Sequence, residues 1–410
     1  MHNLKIDSGR LWNSLMEMAK IGATEKGGVC RLALTDLDRE SRDLFVRWCE
    51  DSGCTVSFDA MGNIFARRPG RNNDLPPVMA GSHLDSQPTG GKFDGAYGVL
   101  AGLEVVRALN DAEFETEAPV EVAVWTNEEG SRFPPAMVGS GAFARIFDLE
   151  EAHGKADMDG KTIGEELARI GYKGEGCGGR DIGAYFEAHI EQGPVLEAKE
   201  KTIGVVTGGQ GQRWYEIVLT GRESHAGPTP MATRRDALVG ASEIVQAVNR
   251  IGHEFQPGAC ATVGMMQVSP NSRNVIPGEV FMTVDFRHPD DDRLKAMNDA
   301  LRVAADAAAA KHTLMLKFEQ IWSFPATPFE QSCVNAVRKG AEQAGFSHMD
   351  IVSGAGHDAI YMAGVAPSGM IFVPCEDGIS HNEIENATPE DIAAGCQVLL
   401  NAIVDKAGGR

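Results

Sequence analysis

Short apolar runs that end at glycine or at acidic residues recur in the first half of the chain and again near its end. Such runs predict buried strands, whereas longer segments with apolar residues at helical spacing predict helices. The predicted strands cover residues 55–66, 78–80, 119–125, 184–188 and 370–374. The predicted helices cover residues 35–53, 100–109, 334–344 and 389–408, and a short helix opens at residues 356–358. This pattern indicates an α/β domain built on a mixed sheet.

The pattern changes after the glycine-rich segment at residues 208–211. From there the predicted order is strand, helix, strand, strand, helix, strand, which is the order of a compact ferredoxin-like α+β sandwich. These strands cover residues 214–219, 261–268, 280–286 and 313–318, and the helices cover residues 233–251 and 291–310. We therefore predict that residues 213–324 form a small domain inserted into a larger one made of residues 1–212 and 325–410.

Length and composition agree with a globular protein of two domains. The chain has 410 residues, more than a single core usually accommodates, and 43% of them are hydrophobic. The formal net charge is −20 and the Lys and Arg residues are scattered, which argues against a nucleic-acid partner. No apolar run approaches the ~20 residues that a membrane span requires. Eight dispersed cysteines without a C-x-x-C pair indicate free thiols in a reducing compartment, so we expect a cytoplasmic protein.

Histidines and carboxylates follow several of the predicted strands, where open α/β sheets hold their functional sites. A single His-x-Asp such as His83 and Asp85 is weak evidence, because a histidine tied to a neighbouring carboxylate is common at a strand end. The whole set offers nitrogen and oxygen ligands to divalent zinc, manganese, cobalt or nickel. Five ligands suit two ions that share one bridging carboxylate better than they suit a single catalytic zinc. The strand-end side chains from which such a set of five would be drawn are His83, Asp94, the pair Glu128 and Glu129, His189 and His381.

Eight segments in a fixed order resemble the hydantoinase/carbamoylase amidase branch of the M20 metallopeptidase superfamily. That branch includes N-carbamoyl-L-amino acid hydrolases, β-ureidopropionases, allantoate amidohydrolases and ureidoglycolate amidohydrolases. The resemblance extends over essentially the whole chain, the inserted domain included. The segments are GSHLDSQPTGGKFDGAYGVLAG, WTNEEGSRF, AHIEQGPVLE, GRESHAGPTPM, SRNVIPG, DFRHP, SGAGHDA and HNE.

The resemblance implies roles for the strand-end residues. Asp94 matches the carboxylate that bridges two ions, and Asp85 matches an aspartate that orients a ligating imidazole. Glu128 matches a general base that stands beside the ions without binding them. The distribution of ligands between the two ions stays open, since members of the family differ. The implied ligand set is His83, Asp94, Glu129, His189 and His381.

The resemblance also implies residues that hold the substrate. In the inserted domain, His225 matches a residue that reaches the site and stabilises the oxyanion, while Asn274 and Arg287 match substrate-binding residues. A guanidinium such as that of Arg287 can hold a carboxylate through two parallel hydrogen bonds. Gln192 and His357 match residues that line the same pocket. Plainer alternatives exist: Arg287 could pair with a neighbouring acid, His225 could be a simple loop residue, and His357 could order a helix start.

The function expected from this resemblance is metal-dependent hydrolysis of the carbamoyl amide of N-carbamoyl-L-amino acids to amino acid, carbon dioxide and ammonia. Allantoate or another ureido acid of purine breakdown is the second candidate, because such substrates also carry a carboxylate and a ureido group. An M20 peptidase or a non-catalytic metal-dependent binding protein is a weaker alternative. The inserted domain resembles the family's dimerisation module, so a homodimer is expected.

Overall fold

The structure is a computed structural model that describes residues 4–409, and the chain divides into two compact units. The first unit contains the chain up to Thr207 and from Phe329 onward, and the second runs from Gly208 to Pro328. The domain boundaries that the sequence predicts, at residues 212/213 and 324/325, lie a few residues inside the second unit and stay a prediction. Among residues 4–409, no helix combines the length and apolar character needed to cross a bilayer.

Strands and helices alternate through most of the described chain. The strands are β1 Thr55–Phe58, β2 Ile64–Arg68, β3 Val78–His83, β4 Val120–Trp125, β5 Ala184–Ile190, β6 Ile203–Gly209, β7 Gly211–Thr220, β8 Ser224–His225, β9 Cys260–Ser269, β10 Val275–Ile276, β11 Glu279–His288, β12 Met315–Phe324, β13 Thr327–Pro328, β14 His348–Ser353 and β15 Ser368–Val373. The helices are α1 Ser8–Met18, α2 Asp36–Asp51, α3 Ala96–Asp111, α4 Val138–Phe143, α5 Leu149–His153, α6 Ile163–Ile170, α7 Val195–Ala198, α8 Ala237–Glu254, α9 Asp291–Lys311, α10 Gln331–Ala344, α11 Asp358–Met362 and α12 Pro389–Ala407.

The first unit is built on a mixed sheet in which β1, β2, β4, β3, β5, β15 and β6 follow one another. Its four central strands, β4, β3, β5 and β15, run parallel, whereas β2 and β6 pair with them in the antiparallel sense. Every residue of these four strands is buried, as expected for parallel strands covered on both faces. Their carboxyl ends therefore meet at a single edge of the sheet.

The second unit is a four-stranded antiparallel sheet with the order β12, β7, β11, β9. Helices α8 and α9 contribute apolar residues to one core with the sheet, including Ile244 of α8, Leu301 of α9 and Tyr215 of β7. The predicted order strand, helix, strand, strand, helix, strand is confirmed. Alternation along the strands explains the arrangement, since one face of each strand is apolar and the other meets solvent.

The structure differs from the predicted elements at several places. The strand predicted over residues 55–66 is two strands, because Asp59 accepts the amides of Met61 and Asn63 and forms a turn. The helix predicted from residue 233 begins at Ala237, because Asp236 caps it. Helix α1 was not predicted, although its buried Leu11, Leu15 and Met18 recur at helical spacing.

Candidate metal centre

The predicted ligand side chains lie at the edge where the parallel strands end. His83 is the last residue of β3, and His189 lies one residue before the end of β5. Glu129 follows β4, His381 follows β15, and Asp94 lies in the loop between β3 and α3. Folding thus brings together five side chains that are spread over some 300 positions of the sequence. His83, Asp94 and His189 are buried, while His381 is half exposed.

Asp94 is shared between two groups of side chains that could each hold a divalent ion. Its Oδ1 lies 3.4 Å from His83 Nε2 and 3.1 Å from His189 Nε2. Its Oδ2 lies 3.4 Å from His381 Nε2, and the same nitrogen lies 3.4 Å from Glu129 Oε2. Two donors that each stand about 2.1 Å from a tetrahedral zinc are about 3.4 Å apart, so these separations fit metal coordination.

A third possible group consists of Glu187, His189 and His357. Glu187 Oε1 accepts a hydrogen bond from the Ser82 hydroxyl at 2.8 Å, and Oε2 accepts one from the Ala359 amide at 2.9 Å. His189 of this group already belongs to the group that contains Asp94. We interpret Glu187 as a buried hydrogen-bond acceptor that holds β3 and α11 beside β5.

The acids at this edge show strongly shifted pKa values. Burial raises the pKa of Glu128 well above its ordinary value, and burial together with Asp94 raises the pKa of Glu129 to about 7. Although burial opposes ionisation of Asp94, hydrogen bonds from His189 and His381 hold its pKa well below the usual range. Divalent cations would supply compensating positive charge to this group of buried carboxylates.

The histidines respond to the same acids. Burial disfavours the charged form of His83, yet Glu128 and Asp94 raise its pKa well above the ordinary value. The hydrogen bond to Asp94 raises the pKa of His381 to about 9. Each imidazole is therefore paired with a carboxylate, and the two residue types together form a set of nitrogen and oxygen donors suited to zinc, manganese, cobalt or nickel.

Asp85 contacts both His83 and the glutamate pair, but not in the way the resemblance implies. The backbone oxygen of Asp85, rather than its carboxylate, lies 2.9 Å from His83 Nδ1, whereas the nearer carboxylate oxygen is 3.9 Å away. The carboxylate instead accepts the amides of Glu128 and Glu129, each at 3.2 Å. Asp85 thus orients the imidazole with its main chain and the two glutamates with its side chain.

Gln192 and His357 also lie beside the predicted ligands. Gln192 Nε2 donates to Asp94 Oδ2 at 2.9 Å. The ring of His357 is 4.5 Å from that of His189, between centroids, and burial holds its pKa well below the ordinary value. Its Nε2 has no hydrogen-bond partner within residues 4–409. His357 occupies the N-cap position of α11 without a side-chain capping bond, so the structure does not support a role in ordering the helix start.

The remaining predicted residues belong to the second unit. His225 and Asn274 are neighbours there, because His225 pairs with Val275 in the short β8–β10 ladder. Both side chains are exposed. Arg287 lies on β11 and donates to Asp285 at 2.9 Å, as the plainer alternative expected. The part of these residues in the site stays a prediction.

Several buried polar residues of the site were not found from the sequence. Glu385 accepts the amides of Phe93 and Asp94, and burial together with Asp94 raises its pKa to about 7. Asp358 accepts a short hydrogen bond from the Ser140 hydroxyl, and burial raises its pKa well above the usual range. A signal existed for Glu187, which interrupts the apolar strand β5. Glu385 offers none, because acids are frequent in its polar loop.

Comparisons with known proteins identify the family of this chain. The sequence profile of the peptidase family M20/M25/M40 matches residues 79–405. An N-carbamoyl-L-amino-acid amidohydrolase of Rhizobium meliloti is 50% identical over 406 residues, which cover 99% of this chain and 98% of that protein. A ureidoglycolate hydrolase of Arabidopsis thaliana is 32% identical over 409 residues, which cover 97% of this chain and 86% of that protein.

A solved structure is also similar over nearly the full length. The crystal structure of an amidase of the hydantoinase/carbamoylase family from Burkholderia multivorans has a TM-score of 0.97 and 65% sequence identity. The alignment covers 99% of each chain, so it includes both compact units. This chain therefore belongs to peptidase family M20/M25/M40, and within it to the hydantoinase/carbamoylase amidases.

Proposed function

We propose that this protein is a binuclear metal-dependent amidohydrolase that cleaves the carbamoyl amide of N-carbamoyl-L-amino acids. With one water, each substrate yields the free amino acid, carbon dioxide and ammonia. The observation that carries the proposal is the position of Asp94, whose two oxygens face two separate groups of donors. The amidohydrolase of Rhizobium meliloti, at 50% identity, supports the choice of substrate.

The residues present fit two divalent ions, zinc or else manganese, cobalt or nickel. His83, Asp94 and His189 would hold one ion, and Asp94, Glu129 and His381 the other. When bound, such ions polarise a carbonyl and lower the pKa of water. Glu128 belongs to neither group, and its Oε2 stands 3.5 Å from His83 Nε2. It would take the proton from the attacking water and return it to the departing nitrogen.

The substrate-binding roles in this proposal rest on the resemblance of individual residues to those of the family. Arg287 would hold the substrate carboxylate through its planar guanidinium, with Asn274 beside it. His225 would donate to the developing oxyanion, and such donors contribute strongly to amide hydrolysis. Gln192 and His357 would line the pocket next to Asp94 and His189.

The second candidate is hydrolysis of ureidoglycolate or allantoate, supported by the 32% identity to the Arabidopsis thaliana ureidoglycolate hydrolase. Its substrates carry the same carboxylate and ureido groups, so the same residues would serve. A peptidase or a non-catalytic metal-dependent binding protein is less well supported, because relatives at 50%, 36% and 32% identity are named N-carbamoyl-L-amino-acid amidohydrolase or ureidoglycolate hydrolase.

Ammonia release from the metal-reconstituted protein tests the proposal. The substrates are a panel of N-carbamoyl-L-amino acids and N-carbamoyl-β-alanine, with allantoate and ureidoglycolate for comparison. We expect turnover of the carbamoyl amino acids. Turnover of allantoate or ureidoglycolate alone would establish the second candidate instead. If no substrate releases ammonia, the peptidase and binding-protein alternatives become the better explanations.

We further propose a cytoplasmic homodimer that associates through the second unit. The eight free cysteines support a reducing compartment. Trp214 and Trp322 support association, since both are about 40% exposed and their ring centroids lie 5.0 Å apart on the sheet. Exposed apolar patches of this kind are typical of protein interfaces.

A further inference from the structure

Glu385 is a buried acid that holds the main chain on which the Asp94 carboxylate stands. Only 1% of it is exposed, and its Oε1 accepts hydrogen bonds from the amides of Phe93 at 3.0 Å and Asp94 at 3.1 Å. Burial of a carboxylate costs free energy unless hydrogen-bond donors such as these compensate for the lost water. The two amides lie more than 290 residues before Glu385 in the sequence, so the contact joins the last loop before α12 to the loop before α3.

Ser380 extends this contact to the side chain of Asp94. Its hydroxyl lies 2.9 Å from Glu385 Oε2 and 3.0 Å from Asp94 Oδ2. Because a serine hydroxyl carries one hydrogen, the two carboxylates share it. Gln192 Nε2 donates to the same Oδ2. These donors hold Oδ2 on the side of His381.

The position of Glu385 depends on a glycine in the same loop as Asp94. A Cβ atom at Gly91 would lie 2.0 Å from the carboxyl carbon of Glu385 and 2.4 Å from its Cβ. Non-bonded atoms do not approach one another this closely, so only a glycine at position 91 leaves room for the Glu385 side chain. Close packing therefore determines where the Glu385 carboxylate stands.

We propose that Glu385 is a positioning residue for the bridging carboxylate. Through Ser380 and the amides of Phe93 and Asp94, it holds Asp94 so that Oδ1 meets one group of donors and Oδ2 the other, which strengthens binding of the divalent ions. Hydrogen-bond partners of metal ligands commonly act in this way. The inference rests on the metal centre of the proposed function and not on the identity of the substrate.

Metal titration of variants tests the role of Glu385. Wild-type protein, Glu385→Gln and Ser380→Ala are freed of metal with a chelator and titrated with Mn²⁺ by calorimetry. We expect both variants to bind Mn²⁺ about 10- to 100-fold more weakly than the wild type. The matched control is Glu383→Gln, an acid of the same loop whose carboxylate pairs with Lys26 at 3.5 Å, and it should bind like the wild type.

Thermal unfolding of the metal-free proteins separates positioning from general stability. Glu385→Gln keeps an oxygen acceptor for the two amides and removes one of several crowded negative charges, so its metal-free form should melt no lower than the wild type. Wild-type Mn²⁺ affinity in both variants would overturn the proposal. If Glu385→Gln does not fold, the Mn²⁺ affinity of Ser380→Ala alone tests it. A wild type that binds Mn²⁺ but releases no ammonia would contradict only the proposed substrate.

Discussion

Glu128 and Glu129 are adjacent in the sequence, yet their carboxylates have different neighbours. Glu129 faces His381 and accepts hydrogen bonds from the Gln87 amide at 3.0 Å and side chain at 2.7 Å. Glu128 faces His83 and belongs to neither group of donors around Asp94. Asp85 accepts both main-chain amides, while the two side chains reach different partners. The same residue type can therefore serve as ligand at one position and as base at the next.

The two glutamates should respond differently to the same substitution. In the proposed function Glu128 accepts the proton and binds no ion, so we expect Glu128→Gln to lower activity about 10²- to 10⁴-fold with the metal content unchanged. Glu129→Gln is the matched comparison and should lose affinity for one of the ions. Ammonia release and metal analysis of the same preparations measure both effects. Full turnover by Glu128→Gln would mean that another residue is the base.

Helix α3 approaches the ends of β3 and β5 unusually closely, and glycines make this possible. A Cβ atom at Gly98 would lie 2.5 Å from the carbonyl oxygen of Ala188 and 2.7 Å from the Cβ of Ser82. At Gly95, where φ is +65°, it would lie 2.3 Å from the ring of His83. The short distance between helix and strands brings Asp94, just before α3, within reach of His83 and His189.

Substitution of Gly98 should therefore disturb both stability and metal binding. We expect Gly98→Ala to lower the free energy of unfolding by about 1–3 kcal/mol, because the added methyl group forces α3 away from β5. It should also weaken Mn²⁺ binding, because Asp94 moves with the helix. Denaturant unfolding and metal titration provide the two measurements.

Gly9 in helix α1 offers the matched control. A Cβ atom there would meet nothing closer than 3.4 Å, so Gly9→Ala should leave metal binding unchanged and stabilise the protein slightly, if at all. Equal losses of Mn²⁺ affinity in Gly98→Ala and Gly9→Ala would contradict the idea that close packing of α3 positions Asp94.

The whole chain combines two units of different design. The first places donors at the carboxyl ends of parallel strands, whereas the second covers one face of its antiparallel sheet with α8 and α9. The opposite face carries the exposed side chains of Trp214 and Trp322, whose ring centroids lie 5.0 Å apart. A sheet face with exposed aromatic side chains is suited to association with another copy.

Sedimentation of a variant tests the proposed dimer at this face. Trp322→Glu places a charge where an aromatic contact is expected, so we predict a monomer at concentrations at which the wild type sediments as a dimer. The control is Met158→Glu, which changes a fully exposed apolar side chain of the first unit and should remain dimeric. A monomeric wild type would contradict the proposal directly.

The sequence by itself determined the architecture and the residue types of the site. Buried parallel strands are recognisable as continuous apolar runs, and the glycines, histidines and acids that follow them mark the strand ends. His83, Glu129 and His189 were found in this way, because each lies next to such a run. Helix α1 was not predicted, although its buried Leu11, Leu15 and Met18 recur at helical spacing.

Only the tertiary structure decided which groups meet. The division of the ligands into two groups around Asp94, the contact of His83 with the main chain of Asp85, and the burial of Glu385 beneath Asp94 depend on distances between segments far apart in the sequence. Local periodicity reports which face of an element is apolar, but it contains no information on how loops from different strands approach one another. That approach follows from close packing, as the glycines at 91 and 98 illustrate.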